Sequence, residues 1–189
     1  MLNFVANGGV FGIAHVRGGG EKGEEWHNGG FKTTKPNSWK DLISCTEYLI
    51  NEQFTSSNHT AIYGGSAGGI TIGRAMTERP DLFAVAISEA GLLNPLRMET
   101  GAGGSNYKEF GTVKDSTESI GLITMDSYLS IKDSVDYPAT YLTIGINDPL
   151  VNPWMTGKFA AKLQNATTLK RPVMLNVDFN SVMMVLTIS

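Results

Sequence analysis

Cysteine is nearly absent. Cys45 stands alone in 189 residues, so no disulfide can form within the chain, which excludes a disulfide-stapled scaffold and fits a reducing compartment or a bacterial exported protein that needs no staples. A cytoplasmic location is the expectation, with a periplasmic one as the alternative. Charge of one sign is missing as well: 15 Lys+Arg face 18 Asp+Glu, for a formal net charge of −3. That excludes a mainly electrostatic nucleic-acid binder. No run approaches the ~20 apolar residues of a membrane span, and no basic segment followed by an apolar run opens the sequence, so no membrane partner is expected. No two histidines or cysteines share a metal-ligand spacing, so neither metal nor cofactor is expected. Glycine is the residue in excess, at 22 of 189, against a usual ~7%. It is clustered and has no three-residue period, which assigns it to special turns and not to a fibre. A chain that is 41% hydrophobic and 17% charged can bury a core, and its length suits one domain or part of a larger one.

Glycines and prolines divide the chain into alternating strands and helices. Residues 9–16 (GVFGIAHV) are apolar and mostly β-favouring, which predicts a buried strand entering a glycine-rich loop that lasts to about Asn37. Ser38-Trp39-Lys40-Asp41 reads as a helix start. Leu42, Cys45, Leu49 and Ile50 then recur at helical spacing as the buried face, with Cys45 serving as a small apolar residue. Residues 60–63 predict a short strand, followed by the turn Gly64-Gly65-Ser66-Ala67-Gly68-Gly69 and a helix over 70–78. Further strands are expected at 84–88, 139–144 and 172–177, and a helix at 154–164. Between Gly91 and Tyr137 the pattern weakens, so helices and loops lining a site or packing on another domain are expected there. The alternation predicts an α/β fold: a mostly parallel sheet with helices on both faces, because parallel strands need helical crossovers.

The strongest chemical signal is Gly64-Gly65-Ser66-Ala67-Gly68, a G-x-S-x-G pentapeptide between a strand and a helix. A serine nucleophile must project from the end of a sheet, which forces a cramped turn, and Gly64 and Gly68 are the positions where side chains are expected to clash. Ser66 is the candidate nucleophile. The N–H of Ala67, at the start of the following helix, is the candidate donor to an oxyanion. Asp148 follows the 139–144 strand at its carboxyl end and is the candidate acid of a triad in the chain order Ser, Asp, His. The histidine does not follow, since His15, His27 and His59 all precede Ser66. His15 is expected to pack in its strand, His59 to lie in a polar loop, and His27 to sit in the glycine-rich loop.

A second motif competes. Gly18-x-Gly20-x-x-Gly23 matches a dinucleotide fingerprint, but Gly29-Gly30 and Pro36 interrupt the helix it requires. Glu21, Glu24 and Glu25 would also repel a pyrophosphate.

With these residues placed, the chain over about residues 8–181 resembles the catalytic domain of the prolyl oligopeptidase family of serine peptidases. The likeness rests on Gly18-Gly19-Gly20-Glu21-x-Gly23 with Trp26-His27-x-Gly29-Gly30, on the nucleophile turn, on Arg79-Pro80-Asp81-Leu82-Phe83 and on Asp148-Pro149-Leu150-Val151. It implies an α/β-hydrolase fold, incomplete at both ends, with Ser66 as nucleophile, Asp148 as triad acid and Ala67 in the oxyanion hole. It also implies a short peptide as substrate and a β-propeller in the parent protein. The sequence departs from the family in several places. In the family a Gly-His-Gly segment follows the last strand, whereas here residues 182–189 are apolar and contain no histidine. The expected organisation is therefore a partial peptidase domain over 1–181 and an aberrant apolar tail over 182–189, from a frameshift or a truncation. Leu150 stands where prolyl-specific members carry an arginine, and 101–110 lacks their proline-stacking tryptophan. Two alternatives stay open: an esterase or acylaminoacyl-peptide hydrolase on the same scaffold, and a non-catalytic pseudoenzyme fragment.

Overall fold

Valine, isoleucine, tyrosine and threonine recur in four short stretches, where their branched or aromatic side chains suit a pleated surface. A computed structural model describes residues 2–100, 106–168 and 171–180. In it these stretches are the strands β1 (Ala61–Gly65), β2 (Val85–Glu89), β3 (Ala139–Gly145) and β4 (Val173–Asp178). They form one parallel sheet in the order β1-β2-β3-β4. Parallel neighbours cannot be joined by a tight hairpin, so each crossover carries helix. The helices are α1 (Leu2–Ala6), α2 (Glu24–Asn28), α3 (Pro36–Asn51), α4 (Gly68–Glu78), α5 (Tyr107–Phe110), α6 (Ser116–Met125), α7 (Ser127–Ser130) and α8 (Pro153–Ala166). No helix among the described residues is long and apolar enough to cross a membrane. The chain thus has the parallel sheet and helical crossovers of the α/β class, and the weak stretch after Gly91 is helices and loops. The 182–189 tail lies outside the described residues.

Side chains alternate across the sheet with a period of two. Ile62, Ala86 and Leu142 are buried on one face and join Ile70, Ile72, Phe159 and Leu163 in the hydrophobic core. The next register row, Tyr63, Ile87, Tyr141 and Met174, points the other way, and Tyr63 and Met174 are 41% and 51% exposed. α4 lies against β1 and β2, and α8 against β3 and β4. α3 docks on α4, where the Trp39 indole donates to Glu78 Oε2 at 2.8 Å.

Several expectations are corrected. Residues 9–16 form no strand, and Val10 and Ile13 are 91% and 70% exposed. An apolar segment becomes a strand only when a neighbour takes its backbone hydrogen bonds, and here Val16 N–H turns back on the Ala14 carbonyl while the Val16 carbonyl accepts from the Trp26 indole. His15 therefore does not pack in a strand: it is exposed, with Nδ1 3.3 Å from Glu21 Oε1. α3 begins at Pro36, in the first turn where a missing N–H costs nothing. The face it packs on α4 is Trp39, Ile43 and Thr46, while Cys45 and Leu49 are exposed. Ser38 is not a cap, because its hydroxyl donates to the Arg17 carbonyl at 2.5 Å.

Candidate active site

The turn between β1 and α4 carries Ser66 at φ +50°, a left-handed conformation that is uncommon for a residue with a side chain. Three backbone bonds hold it there. Ser66 N–H donates to the Glu89 carbonyl at 2.9 Å, and the Ser66 carbonyl accepts from Gly69 N–H at 3.0 Å and Leu92 N–H at 2.9 Å. Gly64 is required as expected, since a Cβ there would lie 2.8 Å from Ile72 Cγ1. Gly68 is not: a Cβ on it meets nothing within 4 Å. The crowded position is Gly69, where a Cβ would lie 2.5 Å from Gly91 Cα and 2.7 Å from Leu92 N. That helix-to-loop approach lies outside the pentapeptide. Ser66 and Ala67 are exposed, and Ala67 sits at the positive end of α4, an eleven-residue helix.

Asp148 lies in the loop between β3 and α8. It is 6% exposed, and its Oδ1 accepts from Leu150 N–H at 2.8 Å and Val151 N–H at 2.9 Å. Its Oδ2 is buried and has no hydrogen-bond partner among the described residues. A buried carboxylate oxygen normally finds a donor. Ser66, Ala67 and the Asp148 loop meet at one cavity of about 230 Å³, whose walls include Ser66, Ala67, Leu150 and Val151. The remaining walls come from Leu92, Asn106, Glu109 and Phe110. The last three belong to α5 and the residue before it, and no periodicity or motif marks them in the sequence.

The histidines are engaged elsewhere. His27 Nε2 lies 3.3 Å from Glu109 Oε1, and His59 Nδ1 lies 2.9 Å from Ser56 Oγ. His27 is thus one carboxylate away from the cavity. Lys35, just before α3, is buried, which pushes its ammonium below its usual pKa, while the charge of Glu109 opposes the shift. Deeper in the fold, burial raises the Asp126 carboxyl above its ordinary value although Leu129 N–H and the Asn94 amide donate to it. Tyr63 is pushed up to about 12 by donating to Glu89 Oε2 at 2.6 Å.

The competing glycine motif holds no helix suited to a dinucleotide. Gly18 and Gly23 take φ of +102° and +87°, and α2 after them is five residues long with Glu24 and Glu25 in its first turn. Acidic side chains at a helix start repel a phosphate. Among the described residues there is no group of three or more His, Cys, Asp or Glu that could hold a metal ion.

Residues 1–181 match the prolyl oligopeptidase family. The chain is 35% identical over 180 residues to a prolyl endopeptidase of Elizabethkingia miricola, covering 94% of this chain and 26% of that protein. It is 37% identical over 177 residues to a prolyl endopeptidase of Dictyostelium discoideum, covering 92% and 23%. Among solved structures, a prolyl endopeptidase from a study of inter-domain dynamics superposes with a TM-score of 0.83 at 34% identity, covering 86% of this chain and 24% of that one. Oligopeptidase B from Leishmania major superposes with a TM-score of 0.83 at 28% identity, covering 88% and 24%. The chain spans about a quarter of the length of these relatives.

Proposed function

Because the chain belongs to the prolyl oligopeptidase family, we propose that it is part of the catalytic domain of a serine peptidase that hydrolyses peptide bonds in short peptides, the parent protein carrying a β-propeller as well. The supporting observation is the shared cavity: Ser66 on its left-handed turn and Leu150 and Val151 of the Asp148 loop line it together, and the buried Asp148 Oδ2 has no donor among the described residues. In this reading Ser66 Oγ attacks the acyl carbon and its proton passes to an imidazole. Asp148 Oδ2 orients that imidazole, and Ala67 N–H receives the oxyanion. Collapse of the tetrahedral intermediate returns the proton to the leaving amine, and water then releases the acyl group by the same route.

No histidine follows Ser66 in this sequence, and none of the three it has is bonded to Ser66. The chain alone is therefore expected to be slow, with only the ~10³ to 10⁴ acceleration over water that oxyanion donors and binding retain when a triad member is missing. The same observation supports a second reading, a non-catalytic fragment that binds peptides without cleaving them. Turnover of a proline-containing chromogenic peptide by the purified chain, beside Ser66→Ala and His27→Ala, separates the two. Weak activity abolished in Ser66→Ala and at most reduced in His27→Ala supports the peptidase reading. Efficient activity lost in both variants would make His27 the base, and no Ser66-dependent activity would leave the binding reading.

A further inference from the structure

α5 is a single turn of four residues, and Asn106, Glu109 and Phe110 on or beside it wall the Ser66 cavity. A helix this short does not hold itself together in water, so its position must come from tertiary contacts. At its C-terminal end the chain leaves through Gly111 at φ +107°, and Thr112 N–H donates to Glu118 Oε2 at 2.9 Å. On the cavity side the restraint comes from the glycine-rich loop. His27 Nε2 approaches Glu109 Oε1 at 3.3 Å. Lys35, only 7% exposed, ends over the Phe110 ring with its ammonium 5.4 Å from the ring centroid, within electrostatic reach of Glu109.

A buried ammonium is costly unless an opposite charge faces it, and a half-exposed glutamate is ordinarily free to turn to solvent. Glu109 is held directly by His27 Nε2, and the Lys35 ammonium, seated over the neighbouring Phe110 ring, adds its charge from the same side. We propose that Lys35 and His27 are positioning residues that hold Glu109, and with it α5, as the wall of the Ser66 cavity. Their effect on peptide binding rests on the peptidase reading of that cavity, whereas their effect on α5 does not. The glycine-rich loop then acts on Ser66 chemistry indirectly, by fixing the shape of the wall opposite the nucleophile.

The test uses the full chain and two readouts, amide hydrogen exchange over residues 107–110 and fluorescence anisotropy with a labelled short proline-containing peptide. Lys35→Met keeps the apolar stem and removes the charge. It is expected to speed exchange in 107–110 by about tenfold and to weaken peptide binding by about three- to tenfold, while β3 stays protected. Glu109→Gln should do the same, and the double variant should be no worse than Glu109→Gln alone, because the two charges act as one unit. A merely structural Lys35 would instead give additive losses. Unchanged exchange at 107–110 in Lys35→Met, or additivity in the double variant, overturns the proposal. If Lys35→Met loosens β3 as well, the single variant Glu109→Gln decides, since Glu109 lies at the surface and unchanged exchange there overturns it too. Failure of the wild-type chain to bind the peptide would sink the peptidase reading and leave the exchange result to judge the positioning.

Discussion

A side chain at positive φ costs on the order of 1 kcal/mol or more, so Ser66 persists in its conformation because Glu89, Gly69 and Leu92 hold its backbone on both sides. Asp148 plays a comparable local part, since its Oδ1 caps two consecutive N–H groups. Asp148→Ala leaves both donors without that acceptor, and a loss of about 1–3 kcal/mol in urea denaturation is expected, with Asp148→Asn losing less because it keeps an acceptor oxygen. Arg17 and Asp41 give the residue scale its pH dependence. The Arg17 guanidinium and backbone N–H hold the Asp41 carboxyl below its usual value. In the pH window between the lowered folded value and the ordinary one near 3.8, the unfolded chain binds the proton and the folded chain does not, so this contribution is present above the window and lost as pH falls through it. Asp126, raised by burial, works with the opposite sign. Asp41→Asn should lower stability at pH 7 and flatten the loss of stability below about pH 4. Denaturation curves at several pH values for the two proteins check this.

At the scale of elements, the turn that carries Ser66 depends on how closely α4 can approach the chain after β2. Gly69 Cα faces Gly91 Cα at a distance that admits no side chain. Gly69→Ala should therefore cost about 1–3 kcal/mol through overpacking. Gly68→Ala, one residue earlier and facing open space, should be neutral or stabilising by up to about 1 kcal/mol, since alanine lowers the entropy of the unfolded chain. Thermal melts of the two single variants separate these outcomes, and equal destabilisation would contradict the geometry. The same comparison shows why the pentapeptide misleads about its own glycines. Of the two expected to avoid clashes, Gly64 does so against Ile72, whereas the close approach belongs to Gly69, whose opposite neighbour lies 22 positions away in the chain.

For the molecule as a whole, β1 pairs only with β2 and β4 only with β3 among the described residues. Edge strands of a parallel sheet are templates for further pairing when nothing covers them. The apolar segment 9–16, expected as a strand, adds exposed Val10, Phe11 and Ile13. The purified chain is therefore expected to self-associate at tens of micromolar. Light scattering after size-exclusion chromatography should show this, and Met174→Lys, which places a charge on the half-exposed residue of β4, should reduce it. A monodisperse wild-type monomer at high concentration would refute the edge argument.

The identity of the strands, the strand-turn-helix around Ser66, the position of Asp148 at a strand end and the family resemblance were all legible in the sequence, because each rests on neighbours in the chain: alternation of apolar residues, glycines in a turn, an Asx-Pro exit from a strand. The fate of 9–16 was not, because a strand is a property of two segments and no strand lies beside that one among the described residues. The buried face of α3 was likewise settled by what packs on it: docking on α4 turns Trp39, Ile43 and Thr46 inward and leaves Cys45 outside. The cavity wall was the least readable part. Glu109 reaches Ser66's cavity because the parallel sheet gathers the loops that follow β1, β2 and β3, and His27 reaches Glu109 from a segment that precedes every strand of the sheet, a juxtaposition of residues 82 positions apart that no local pattern encodes.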